Sequence, residues 1–186
     1  MGRYCRWCCV WRGFFARGVP GRRRAHDAAM KLYLVQHAEA VAKDMDADRP
    51  LSDTGRADVE RLAALLGRHE VAPVRIVHSG KTRARQTAEI LAAKLAGTQV
   101  IEAAAGLAPG DPVEPWIEEA GGRDEDIMLV GHLPFMGRLV SGLVSRQPSA
   151  TVVDYRPGSI VCLERDGAGG WVITWMLRPE LVAGES

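Results

Sequence analysis

Residues 31–39, Lys31-Leu32-Tyr33-Leu34-Val35-Gln36-His37-Ala38-Glu39, are the stretch around which the rest of the chain can be read. Leu32 to Gln36 reads as a short buried strand, and a histidine follows at its end. In open α/β sheets, ligands bind outside the carboxyl ends of the strands, so His37 stands where a reactive group is useful. Taken alone it is weak evidence, because a strand-end histidine more often serves structure. Two later strands deliver matching groups. Ile76-Val77 leads through Ser79 to Arg83, and Ile127 to Val130 leads through Gly131 to His132. Two histidines and an arginine at three strand ends form a constellation suited to phosphoryl transfer.

The segments between these strands alternate with them as helices. Ala40 to Pro50 is a polar loop. Its Asp44, Asp46 and Asp48 alternate like a calcium loop, but Arg49 replaces the required glycine and Gly55 the closing glutamate. Ser52 or Thr54 then caps a helix of about 15 residues, with Val59, Leu62, Ala63 and Leu66 on its buried face. Val74 to Val77 is the expected second strand. A helix follows through about Leu95, with Ala84, Thr87, Ala88, Leu91 and Leu95 on one side. Gln99 to Ile101 is read as a third short strand and Val113 to Ala120 as a short helix, broken by Gly121-Gly122. Ile127 to Val130 is continuously apolar, as central parallel strands are. Leu133-Pro134 opens an amphipathic helix carrying Phe135, Leu139, Val140 and Leu143. Ser159 to Glu164 and Trp171 to Met176 read as a closing hairpin. The alternation predicts a three-layer α/β domain.

Composition is consistent with one folded domain: 186 residues, 47% hydrophobic and 25% charged. Residues 1–29 stand apart. They hold seven arginines against Asp27 alone, a balance of +6, so the total of +1 leaves −5 for Met30 onward. They show no periodicity. Cys5-x-x-Cys8 lacks the second pair that a zinc site needs, and Arg6 stands where a myristoylation signal wants Ser or Thr. The expectation is a disordered extension, or one arising from a misassigned start codon, with residues 30–186 as the domain. A mildly acidic body gives no reason to expect nucleic-acid binding. No apolar run approaches the roughly 20 residues of a membrane helix. Cys162 is the one cysteine of the body, so the fold is not built on disulfides, and a reducing cytoplasm is expected.

His37 is the candidate nucleophile. Attack on phosphorus needs a neutral imidazole with one nitrogen free, and the other nitrogen must then donate a hydrogen bond. Arg83, near the start of its helix, can offer a planar fork to phosphate oxygens. His132, where a strand gives way to a helix, can add charge to the transition state if protonated. Two rival readings are weaker. Gly80-Lys81-Thr82 suggests a nucleotide-binding loop, but Arg75 occupies the first glycine's place. His37, His78 and His132 could form a zinc site only if His78 turned toward the other two.

LVQHAEA (34–40), RPLSDTG (49–55), HSGKTRARQTAEIL (78–91) and LVGHLPFMGRLV (129–140) together resemble the histidine phosphatase superfamily, especially its small SixA-type phosphohistidine phosphatases. The likeness runs from Met30 to about Met176. It implies a phosphoglycerate mutase-like α/β/α sandwich with a mostly parallel central sheet. It further implies a covalent phosphohistidine intermediate that water hydrolyses, with no metal or other cofactor. The family's Arg-His-Gly motif places the nucleophile on His37, its second phosphate-binding arginine on Arg83 with Thr87 four residues on, and its second histidine on His132. Gln36, His37, Arg83 and His132 would then bind the phosphoryl group.

Two positions depart from that pattern: Gln36 replaces an arginine and Ala38 a glycine. No general acid is evident, and Glu102, Asp111 and Glu114 carry no motif that selects one. An alcohol leaving group needs such an acid, whereas imidazole, with a pKa near about 6.5, leaves readily. The implied substrate is therefore phosphohistidine on a protein, such as a phosphotransfer domain, and the implied protein is a cytoplasmic monomer. The alternatives are a phosphatase of a small phosphorylated metabolite, or a module that binds phosphate or phosphohistidine without hydrolysing it.

Overall fold

The computed structural model describes residues 30–97 and 100–182. The expectations for residues 1–29 and for Gln99 fall outside them. The elements follow the anticipated order: β1 (Lys31–Gln36), α1 (Asp53–Arg68), β2 (Arg75–His78), α2 (Thr82–Ala92), β3 (Val100–Ala103), α3 (Glu114–Gly121), β4 (Ile127–Gly131), α4 (Phe135–Ser145), β5 (Ile160–Arg165) and β6 (Trp171–Leu177).

The six strands form one sheet in the order β3-β2-β4-β1-β5-β6. β1 to β4 run parallel to their neighbours among themselves, while β5 pairs antiparallel with β1 and with β6. The sheet is thus mixed and mostly parallel. Because side chains alternate across a strand, β1 feeds two cores. Leu32 and Leu34 join Ile127, Leu129, Val161 and Leu163 beneath Phe135, Leu139 and Val140 of α4. Tyr33 and Val35 join Met128, Val130, Ile160 and Cys162 beneath α1 and α2. Helices on both faces explain why the central strands read as unbroken apolar runs.

The boundaries shift by small amounts for identifiable reasons. The second strand runs to His78 because that residue still pairs with Ala103 and Val130. α2 ends at Ala92, although Leu95 remains buried; the apolar spacing continues through the turn that follows the helix. Ser159 is buried but lies outside β5, since its N–H donates to the Arg156 carbonyl at 2.8 Å and closes a turn.

Register sets the site. β1 and β4 are neighbours with Gln36 opposite Gly131, so His37 and His132 leave the sheet at the same level. The His37 N–H donates to the Gly131 carbonyl at 3.0 Å, and the Ser79 N–H to the Val130 carbonyl at 3.2 Å. Three strand ends therefore converge. The start of α1 closes against the same edge: Ser52 caps it by accepting from the Gly55 N–H at 3.0 Å and donates to Glu39 Oε1 at 2.8 Å. A Cβ at position 55 would lie 2.2 Å from the Glu39 carbonyl oxygen, so only glycine permits that approach.

Candidate active site

His37 emerges from β1 with both ring nitrogens engaged. Nδ1 lies 2.7 Å from the Ala38 carbonyl. A carbonyl can only accept, so Nδ1 carries the proton and Nε2 carries the lone pair. Nε2 in turn accepts from Nε of Arg83 at 3.1 Å. This is the tautomer that a nitrogen nucleophile needs. Arg83 sits in the first turn of α2, and its backbone carbonyl accepts from the Thr87 hydroxyl at 2.8 Å. The same hydroxyl oxygen accepts from the Ala38 N–H at 3.2 Å. Thr87, fully buried, thus ties the carrier of Arg83 to the peptide that orients His37.

His132 completes the cluster. Its ring lies edge-on to that of His37, with centroids 4.8 Å apart. Its Nε2 is 2.6 Å from the Ser79 hydroxyl, and its Nδ1 is buried without a hydrogen-bond partner. Burial lowers the pKa of both rings. For His37 burial is the largest influence; the Ala38 carbonyl opposes it, and Arg83, Arg49 and Lys81 reinforce it, giving about 4. For His132 burial is followed by His37, Arg83, Lys81 and Arg49, giving about 3. Both rings are neutral at pH 7. Cations surround them, and no carboxylate figures among the groups that shift either ring.

The structure brings His37, Arg83 and His132 together. It turns His78 away: Nδ1 of His78 accepts from the Gly80 N–H at 3.0 Å, and the charges acting on it are Glu89 and Arg85. Among the described residues no three His, Cys, Asp or Glu side chains are grouped to hold a metal. The carboxylates that sequence could not rank are engaged elsewhere or unconnected with the rings. Glu102 pairs with Arg75, Asp111 Oδ2 accepts from the Ala108 N–H at 2.7 Å, and Glu114 lies in the first turn of α3. The sequence reading did not single out Ser79 as a partner of His132, nor Lys81 and Arg49 as charges acting on the two rings. Ser79 was detectable only through the pairing of β2 with β4, which brings residues 53 positions apart into contact.

The family model of the histidine phosphatase superfamily (branch 1) matches residues 32–108. An uncharacterised protein of Picosynechococcus sp. (strain ATCC 27264 / PCC 7002 / PR-6) is 34% identical over 127 residues, which cover 63% of this chain and 75% of the relative. This chain belongs to the histidine phosphatase superfamily.

Solved structures agree on the fold of this superfamily member. The protein histidine phosphatase SixA, complexed with tungstate, superposes with a TM-score of 0.72 at 24% identity, covering 82% of this chain and 99% of its own. A protein of Agrobacterium tumefaciens provisionally named the phosphohistidine phosphatase SixA gives 0.65 at 23% identity, with 81% and 99% covered. Membership in the histidine phosphatase superfamily supports phosphatase activity, and it sharpens the two departures in the motif. Ala38 is fully buried and has no left-handed backbone, so the missing glycine costs nothing in conformation. Gln36 is different. It is 8% exposed, its Oε1 has no hydrogen-bond partner, and its side chain makes no hydrogen bond to His37, Arg83 or His132.

Proposed function

We propose that this chain is a phosphatase that removes the phosphoryl group of phosphohistidine on a protein, through a phosphohistidine intermediate formed on His37. The observation that carries the reading is the fixed tautomer of His37, with its lone pair on Nε2 beside the Arg83 guanidinium. Nε2 attacks phosphorus, a new N–P bond forms, and the N–P bond of the substrate breaks. A substrate ring protonated at its other nitrogen departs as neutral imidazole, so no acid from the enzyme is required. Water then attacks the phosphorus on His37, and phosphate leaves as the second N–P bond breaks. His132, whose ring neighbours that of His37, takes that water's proton once the phosphoryl charge has raised its pKa from about 3. Arg83 shifts its N–H groups from Nε2 to the phosphoryl oxygens as charge accumulates there.

The engagement of Glu102 and Asp111 away from the histidines supports a leaving group with little need for a proton. The tungstate held by the SixA neighbour is a tetrahedral oxyanion, which supports a phosphoryl pocket in this fold. A second reading, a module that holds phosphohistidine without hydrolysing it, rests on Gln36 bringing no charge. Steady-state assays separate these readings. A panel of phosphohistidine-carrying phosphotransfer domains and of small phosphate monoesters is offered to the chain and to His37→Ala. The phosphatase reading expects phosphate release from the phosphohistidine proteins, abolished by His37→Ala. Binding without release would favour the module, and release confined to the monoesters would favour a metabolite phosphatase.

A further inference from the structure

The segment between β1 and α1 folds back on itself directly after His37. Ala40 bridges Leu51, the Val41 N–H donates to the Pro50 carbonyl at 2.8 Å, and the Ser52 N–H to the Glu39 carbonyl at 3.0 Å. The Leu51 N–H donates to Gln86 Oε1 at 2.8 Å, which fastens this closed loop to α2, about one turn from Arg83. Within the loop, Arg49 holds a left-handed backbone, with φ of 49°. Residues other than glycine adopt that conformation at some cost. Its Nε donates to the Val41 carbonyl at 3.2 Å. That bond steadies the side chain and leaves both Nη groups for another acceptor. Among the described residues no carboxylate pairs with Arg49.

Charge balance shows why the pocket needs it. A phosphoryl group carries roughly 1.5 to 2 negative charges at pH 7. Arg83 supplies one positive charge, both histidines are neutral, and Gln36 supplies none. Lys81 is nearby but exposed, whereas Arg49 is half-buried, so solvent weakens the attraction of Lys81 more. We propose that Arg49 is the second guanidinium of the phosphoryl pocket, supplying from the β1–α1 loop the charge that Gln36 at the end of β1 lacks. The inference rests on the phosphoryl pocket proposed above. Arg49 is also the charged group that acts on Arg83, and it acts on both histidine rings.

Calorimetric titration of the full chain with tungstate tests the assignment. Arg49→Asn removes the guanidinium while keeping a residue that tolerates the left-handed backbone. It should weaken binding roughly 10- to 100-fold, the scale of one charge-assisted hydrogen-bonded contact. Arg49→Lys should fall between, because an ammonium cannot match the planar fork. The deciding variant is Gln36→Arg combined with Arg49→Asn, which should recover most of the lost affinity. Arg83→Gln serves as the control on the pocket itself. Unchanged binding in Arg49→Asn, with binding lost in Arg83→Gln, would overturn the role of Arg49 and leave the pocket standing. A loss in Arg49→Asn that Gln36→Arg does not restore would also overturn it, since Arg49 would then only hold the loop. Unchanged binding in Arg83→Gln as well would remove both the pocket and this inference.

Discussion

Arg83 donates its Nε–H to Nε2 of His37 at 3.1 Å, across 46 residues of sequence. One guanidinium thereby does two things. It disfavours a proton on Nε2, the nitrogen that attacks in the proposed mechanism, and it stands where that mechanism brings the phosphoryl oxygens. In the proposed mechanism those oxygens compete with Nε2 for the same N–H, so that substrate binding would itself free the lone pair.

Arg83→Gln should therefore raise the pKa of His37 above about 4, because a cation that disfavours the protonated ring is gone. A histidine-selective NMR titration reads that shift directly. The same variant should lose roughly 10- to 100-fold in kcat/KM, the equivalent of a charge-assisted contact of about 1.5–3 kcal/mol. A His37 pKa that stays put or falls would contradict the pairing.

Thr87 makes a sharper test of how the site is held. Thr87→Val keeps the shape but leaves the buried Ala38 N–H without its acceptor, which costs about 1–3 kcal/mol. Equilibrium denaturation should show that loss, and kcat should fall because the peptide that orients His37 is no longer pinned. Thr87→Ser keeps the hydroxyl and should restore kcat. If valine and serine behave alike, the hydroxyl has no positioning role.

The lowered pKa values carry a consequence for stability. An unfolded histidine titrates near about 6.5, while folded His37 and His132 titrate at about 4 and about 3. Between those limits the unfolded chain binds more protons, so stability falls as pH drops through that window and is insensitive to these rings above it. The loss is on the order of 1–3 kcal/mol per ring. Denaturation at pH 7 and at pH values down to about 4 measures it, and His132→Asn should flatten the slope. Tungstate, an anion that favours protonated rings, should raise the lower limit of that window and so narrow it.

Much of this was legible before any coordinates. Leu32 to Val35 and Ile127 to Val130 are apolar on both faces because helices cover both sides of the sheet. That pattern announced the central strands, and with them the positions of His37 and His132. That one ring nitrogen of His37 should donate a hydrogen bond follows from the chemistry a nucleophile requires, while the structure supplies which nitrogen, Nδ1, and its acceptor, the Ala38 carbonyl. What sequence could not supply was contact between distant segments. Ser79 meets His132 only because β2 pairs with β4, and the charge of Arg49 acts on the rings from a loop that Gln86 fastens to α2. His78, one residue before Ser79, could join the site only by turning toward the other histidines, and its Nδ1 instead accepts from the Gly80 N–H.

The central claim is that His37 carries the phosphoryl group during turnover. Phosphohistidine is stable in base and labile in acid, which sets it apart from phosphoserine. The full chain is mixed briefly with a labelled phosphohistidine protein in the presence of a chelator, quenched in alkali and digested. The label should be found on the peptide containing His37, and His132→Ala should slow its appearance without moving it elsewhere. Robust turnover by His37→Ala under the same conditions would contradict the account, because water or another residue would then attack phosphorus directly.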